Sequence, residues 1–285
     1  MFNNLQSILS QQSETFSGIF RVRYPAWGQT RHGDPYVKMS IEDNSASIQA
    51  YCCRKLTAYE LSLRDLMCSQ IEGRIREYKQ EKIIQIVSSS PCEAEQREQA
   101  IQLIPMSVCP QPWLLSYLES AVERITIAPL RTFVNSVLAD DTIAFPYIAC
   151  PASLKHHHNY PGGLLAHSLE CFQMVEKHYH FPRQDYELGL ASALFHDIGK
   201  ILTMTHTMKR TTIGATTEHE KLTFEVLAPY LQELAKNWPD GEKQLRYLLS
   251  WKLKRRIPRY NMADLVACCD RISAGADMQK KRLAS

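Results

Sequence analysis

Between residues 16 and 88 the apolar positions come in short runs broken by polar turns. FSGIFRVRYPAW mixes β-branched and aromatic residues, and RHGD (31–34) signals a turn after it. In PYVKMSIED, Tyr36, Lys38, Ser40 and Glu42 alternate with Val37, Met39 and Ile41, the period of a half-buried strand. Asp43-Asn44-Ser45 is a further turn, and SIQAYCC follows as a third strand. TAYELSLRDL reads as a short helix, and IEGRIREYK and KIIQIVSS supply two more strands. Three strands, a helix and two strands are the order of a five-stranded OB-like barrel, with another small β-barrel or an SH3-like module as the alternative.

The pattern changes after this point. SSSPCEAEQREQ is polar, and three prolines fall between 105 and 112, so residues 91–112 read as a linker. From 113 onward apolar residues recur at helical spacing, in WLLSYLESAVERI, APLRTFVNSVLADD and the stretches 163–180, 185–199, 219–236, 241–253 and 262–275. The expected protein is an α+β multidomain chain. A barrel occupies residues 1–90 and an all-α bundle residues 113–285.

Composition narrows this only slightly. Of 285 residues 45% are hydrophobic and 22% charged, enough for real cores and unlike a disordered chain. A net charge of +3 excludes a histone-like polycation but not a local basic groove. No run reaches the ~20 apolar residues of a membrane span. The N-terminus lacks the basic-then-apolar order of a secretory signal. Nine cysteines without a C-x-x-C pair read as reduced thiols, mostly core filler. The expected location is therefore cytoplasmic.

The chemistry concentrates in the helical region. FHDIGK (195–200) ends an apolar helical run and brings an imidazole and a carboxylate, His196 and Asp197, to one point. Both suit a divalent ion. Gly199 is expected to let the chain leave the helix there, and Lys200 to stand by as a phosphate-binding cation. GGLLAHSLE puts His167 on an inner helix face. LVACCDRIS puts Asp270 in an apolar run, where an unpaired carboxylate is costly. His167, His196, Asp197 and Asp270 can thus form a two-His, two-Asp site drawn from three helices.

This H…HD…D pattern resembles the HD-domain metal-dependent phosphohydrolases. CPASLKHHHNYPGGLLAHSLE and the hairpin TRHGDPYVKMSIEDNSASIQAYC are similar to segments of the YhaM-type 3′→5′ exoribonucleases, which join an OB fold to an HD domain. Some conjugative relaxases open their HD domain with a similar His-rich, Gly-Gly-Leu segment. The resemblance covers about residues 16–275. It implies a phosphohydrolase that uses metal-activated water, with Asp197 and Lys200 catalytic. It implies a 3′→5′ exonuclease acting on single-stranded nucleic acid, RNA rather than DNA. His219 fits one further metal-ligand position. The paired histidines usual later in that family are replaced by Trp251 and Lys252, so one tightly bound ion is expected, whether Mn, Fe, Co, Ni, Zn or Mg.

Other residues carry weaker signals. His157 and His158 are candidate substrate contacts, although a polar loop before a helix explains at least two of His156, His157 and His158 as well. His206 falls in a loop that either covers the site or merely connects helices. Lys252, Lys254, Arg255, Arg256 and Arg259 form a basic run, either a solvated face or a backbone-tracking strip in which Lys252 and Arg255 touch substrate. On the barrel, Trp27 and Tyr36, with Phe20, Tyr24 and Tyr51, offer stacking faces interleaved with Arg21, Arg23, Arg31 and Lys38, and Arg74, Arg76 and Lys79 extend the basic face. Half of those aromatics serve a barrel core equally well. The competing functions are a mononuclear nucleotide phosphatase, whose barrel would serve homo-oligomerisation, and a nucleic-acid-binding protein with a vestigial site.

Overall fold

The computed structural model describes residues 4–10, 15–92, 100–250 and 258–284. It divides into two compact units, Met1–Val108 and Cys109–Ser285.

In the first unit a short helix, α1 (Leu5–Ser10), precedes β1 (Thr15–Gln29), β2 (Pro35–Glu42) and β3 (Ser47–Cys52). Helix α2 (Ala58–Leu61) then leads to β4 (Cys68–Tyr78) and β5 (Glu81–Pro91). The strands close into a barrel in the order β1-β2-β3-β5-β4, with β1 also paired to β4. This is the OB-like arrangement expected from the order of elements. All neighbours are antiparallel except β3 and β5, which meet in parallel at Ala50–Ile84 and Tyr51–Gln85. Alternation does the sorting: Val37, Met39 and Ile41 are buried, with Phe20, Val22, Ile71 and Ile84 from the other strands. Helix α2 is held by a capping box, Thr57 with Glu60.

The polar stretch after β5 does not stay a free tether along its whole length. Ala100, Ile101, Leu103 and Ile104 are buried, Asn44 N–H donates to Gln102 O, and Met106 N–H donates to Asp43 O. This segment covers the outer side of β1. Arg21 donates to Leu103 O and Leu66 O. Arg23 is buried against Asp65, Ser107 and Glu42. Neither is the outward phosphate-facing cation that alternation suggested, and Phe20 lies in the core.

The second unit is helical: α3 (Trp113–Glu123), α4 (Ala128–Leu138), α5 (Asp141–Ala149), α6 (Gly163–Glu176), α7 (Arg183–Phe195), α8 (Lys200–Thr203), α9 (Thr212–Thr216), α10 (His219–Asn237), α11 (Pro239–Ser250) and α12 (Asn261–Ala284). Helices α6 and α7 pack together, α12 lies against both, α11 packs on α7, and α10 packs on α11 and α4. None of these helices is long and apolar enough to cross a membrane.

Candidate metal centre

The site begins with how α7 ends. Tyr147 of α5, fully buried, donates to Leu194 O, one of the carbonyls the last turn leaves unpaired. Phe195 packs edge-on against Phe133 at 6.0 Å. This anchors the helix end, and His196 and Asp197 emerge from it into the core, 4% and 1% exposed. Gly199 has φ −57°, so it is not a left-handed helix stop as the sequence suggested. Its role is proximity: a Cβ there would lie 2.1 Å from His219 O and 2.7 Å from Thr223 N. The missing side chain lets the start of α10 abut the HD turn, so His219 Nε2 reaches Asp197 Oδ1 at 3.1 Å.

Four groups converge here. His167 Nε2 lies 3.2 Å from His196 Nε2, 3.0 Å from Asp270 Oδ1 and 3.5 Å from Asp197 Oδ2. His196 Nε2 lies 3.4 Å from Asp270 Oδ1 and 3.5 Å from Asp197 Oδ2. The protons on the imidazoles can be placed. His196 Nδ1 is 2.9 Å from Ala193 O, which can only accept, so Nδ1 carries the hydrogen. Ser273 Oγ donates to Glu170 Oε2 at 2.6 Å and therefore accepts from His167 Nδ1 at 2.9 Å. In the neutral imidazoles both Nε2 atoms then point lone pairs at each other and at two carboxylates. That arrangement is repulsive unless a cation or a proton stands between them. Donors about 2.0–2.2 Å from one ion stand roughly 3.0–3.5 Å apart along the edges of its coordination polyhedron. The observed separations fit that range, so the residues present suit a divalent ion. Cys171 Sγ, 4.0 Å from His167 Nε2, belongs to the same potential donor group with His196 and Asp270. As a buried cysteine in a helical run it looked like filler, and only the fold reveals its neighbours.

Asp197 is shared further. Lys200 Nζ, also buried, lies 2.6 Å from its Oδ2. His157 forms a second potential donor group with His167 and Asp197. Burial, reinforced by the Lys200 charge, holds the His157 imidazole down to about 4, so it is neutral at pH 7. Its buried Nε2 has no hydrogen-bond partner among the described residues. A cavity of about 530 Å³ opens beside these groups, lined by His157, Lys200, Arg210, Thr217 and His219 among others. His206 is exposed and is not part of that lining.

The three consecutive histidines have separate fates. His156 is exposed, His157 lines the cavity, and His158 is buried with its Nε2 3.2 Å from Glu170 Oε2. His158, expected from sequence as a substrate contact, is packed beside His167 and Glu170 and is not among the residues lining the cavity. Trp251, Lys252, Lys254, Arg255 and Arg256 lie outside the described residues, and with them the site of the replaced histidine pair.

On the barrel, Trp27 is 45% exposed and its indole donates to Glu60 O at 3.2 Å. Tyr36 leans over Gly28, where a Cβ would sit 2.7 Å from the phenol. Pairing of Gly28 with Tyr36, Ala26 with Lys38 and Lys38 with Tyr51 places these residues on one outer face. Lys38 Nζ stands 5.8 Å from the centre of the Tyr51 ring. Tyr24 and Tyr78 are further exposed rings.

Comparison with known proteins bears on the whole arrangement. The chain is similar to the 3′-5′ exoribonuclease YhaM of Listeria innocua, 22% identical over 245 residues, covering 81% of this chain and 73% of the relative. It is also similar to YhaM of Oceanobacillus iheyensis, 25% identical over 192 residues, covering 66% of this chain and 59% of the relative. A chain from a structure of a replication protein A heterotrimer bound to ssDNA aligns with 30% of this chain and 63% of its own length, at 14% identity and a TM-score of 0.26, too low to bear on the fold. Residues 164–275 match the HD-domain family model, and that span contains His167, the His196-Asp197 pair and Asp270. The helical part of this chain carries an HD domain of the metal-dependent phosphohydrolase kind, preceded by an OB-like barrel.

Proposed function

We propose that this protein is a metal-dependent 3′→5′ exonuclease of single-stranded nucleic acid, with RNA its preferred substrate. The carrying observation is the convergence of two Nε2 lone pairs and two carboxylates in a buried pocket beside an open polar cavity. His167, His196, Asp197 and Asp270 would hold a divalent ion, with His157 and His219 at its margin. Such an ion supplies positive charge toward phosphate oxygens and acidifies water. Asp197, which has one oxygen toward His219, would hold the ion and take up a proton from water in this reading. Lys200, desolvated and close by, offsets the charge gathering on the phosphate. Neutral His157 adds a lone pair without adding charge. The Tyr36–Lys38–Tyr51 face of the barrel would grip the strand by stacking and charge, whereas Trp27, paired with the core residue Val37, lies on the other side of β1.

The test is elemental analysis of the purified protein, followed by a manganese-supplemented assay on labelled single-stranded RNA for wild type and Asp197→Ala. The reading expects bound metal, stepwise shortening by wild type and none by the variant. Oligonucleotide affinity should fall steeply with salt, with a slope of about −0.7 per phosphate contacted. The cavity volume of about 530 Å³ suits a single nucleotide, which keeps a mononucleotide phosphatase as the second reading. Turnover of mononucleotides with intact RNA and no salt dependence would select it.

A further inference from the structure

The HHHNYPGG segment that opens the helical motif is only partly used by the chemistry above. His158 has φ +43°, a left-handed backbone that a residue with a Cβ adopts only when its surroundings compel it. Its N–H donates to Asp277 Oδ2 of α12 at 2.7 Å, and its carbonyl accepts from Ala152 N–H. The loop lies directly on the start of α6: a Cβ on Gly163 would come within 2.1 Å of His158 O. This close seat drives the His158 ring to 1% exposure, with Nε2 3.2 Å from Glu170 Oε2. The same Glu170 oxygen accepts from Ser273 Oγ at 2.6 Å, and Ser273, 2% exposed, accepts from His167 Nδ1 at 2.9 Å.

We propose that His158, Glu170 and Ser273 form a positioning chain that fixes the tautomer and ring orientation of His167 and thereby sets the metal affinity of the site. This inference rests on the metal-centre reading above. Each link has one allowed direction. Glu170 accepts from both His158 and Ser273. The serine hydroxyl has one proton, which goes to Glu170, so its lone pair is left to take the hydrogen of His167 Nδ1. His167 Nε2 is then committed as a lone pair toward His196 and Asp270. Without the serine oxygen, the hydrogen could move to Nε2, the imidazole would lose its donor atom toward the ion, and the ring would be free to turn. His196 is fixed separately by a backbone carbonyl, so the two imidazoles reach one tautomer by independent means. Partners of this kind behind a ligating histidine are worth about 10–100-fold in metal affinity.

The test is manganese affinity, by competition with a chelator, for the full-length wild type, Ser273→Ala, Glu170→Ala and Ser273→Thr. Val266→Ala, a buried truncation on the same helix, is the control for mere loss of packing. Ser273→Ala and Glu170→Ala should weaken manganese binding by about 10–100-fold. Ser273→Thr, which keeps the hydroxyl, should recover at least half of that loss on a logarithmic scale. Val266→Ala should lower the melting temperature and leave the affinity within about twofold. Circular dichroism of the metal-free variants establishes that they are folded. In zinc-loaded protein, ¹⁵N spectra of His167 should show a protonated Nδ1 in wild type and lose that signature in Ser273→Ala. Unchanged affinity in Ser273→Ala and Glu170→Ala, or an equal loss in Val266→Ala, overturns the positioning chain alone. Failure of wild type to bind manganese or zinc overturns the metal-centre reading and this inference together.

Discussion

Asp197 stands among His167, His196, Lys200 and His219, and it can serve all four only because its two oxygens face different partners. Oδ2 looks toward the imidazole pair and Lys200, and Oδ1 toward His219. Lys200 is buried and tied to a carboxylate, so its substitution tests charge rather than shape. Lys200→Met should retain bound metal and lower kcat by about 10²–10³, the usual effect of removing one charge-stabilising donor. Metal analysis alongside steady-state kinetics separates these outcomes. If metal is lost together with activity, Lys200 serves the site's assembly instead. Residue types and spacing suggested His167, His196, Asp197 and Asp270, and the family resemblance added His219. They could not say which of three adjacent histidines turns inward. That choice depends on a left-handed backbone at His158 and on a glycine one turn below it, both tertiary in origin.

The elements that carry these residues are held by a small number of polar fastenings. Glu187 of α7 is one: it accepts from Thr126 N–H, Thr126 Oγ1 and Ile127 N–H, and pairs with Arg183. Burial pushes its carboxyl up, but these hydrogen bonds outweigh burial and hold it below the usual carboxylate range. A depressed folded-state value contributes stability that is fully present above the unfolded value of about 4.3 and lost as pH falls through the folded value. Glu187→Ala should therefore cost about 1–3 kcal/mol at pH 7, because three hydrogen bonds to a charged acceptor are lost. In denaturant melts the difference from wild type should shrink as pH drops below about 4. A constant difference across that range would show that the charge is irrelevant. The strands and the long helices were legible because alternation and helical spacing are strong signals over long runs. The short α1, α5, α8 and α9 were not among the expected elements, and α12 continues to Ala284 instead of ending at 275. Arg21 and Arg23 were misread for a definite reason. Period two distinguishes the inside of a barrel from its outside, but cannot show that residues 100–108 return to cover the outer side of β1.

At the scale of the whole molecule, the repulsive donor cluster couples metal to stability. An ion bound only by the folded state stabilises it by about 2.7 kcal/mol at a hundredfold excess over Kd. For a unit the size of Cys109–Ser285 that is roughly 5–10 °C in Tm. Chelation should lower the melting transition of the helical unit by that amount and leave the transition of the barrel unmoved, as followed by calorimetry. If neither transition shifts, the cluster is relieved by protons rather than by metal.

The barrel closes through a parallel seam only two residue pairs long, between β3 and β5, whereas its β4–β5 ladder runs from Ser69–Pro91 to Tyr78–Glu81. Parallel pairing is also the less stable kind per residue. A cylinder with one short join has a preferred line of breathing, so amides there should exchange with solvent through smaller openings than those elsewhere in the barrel. Tyr51 sits on that line, opposite Lys38. A strand laid across this outer face would therefore clasp the weakest join in the cylinder, and occupancy would be felt as slower exchange along it.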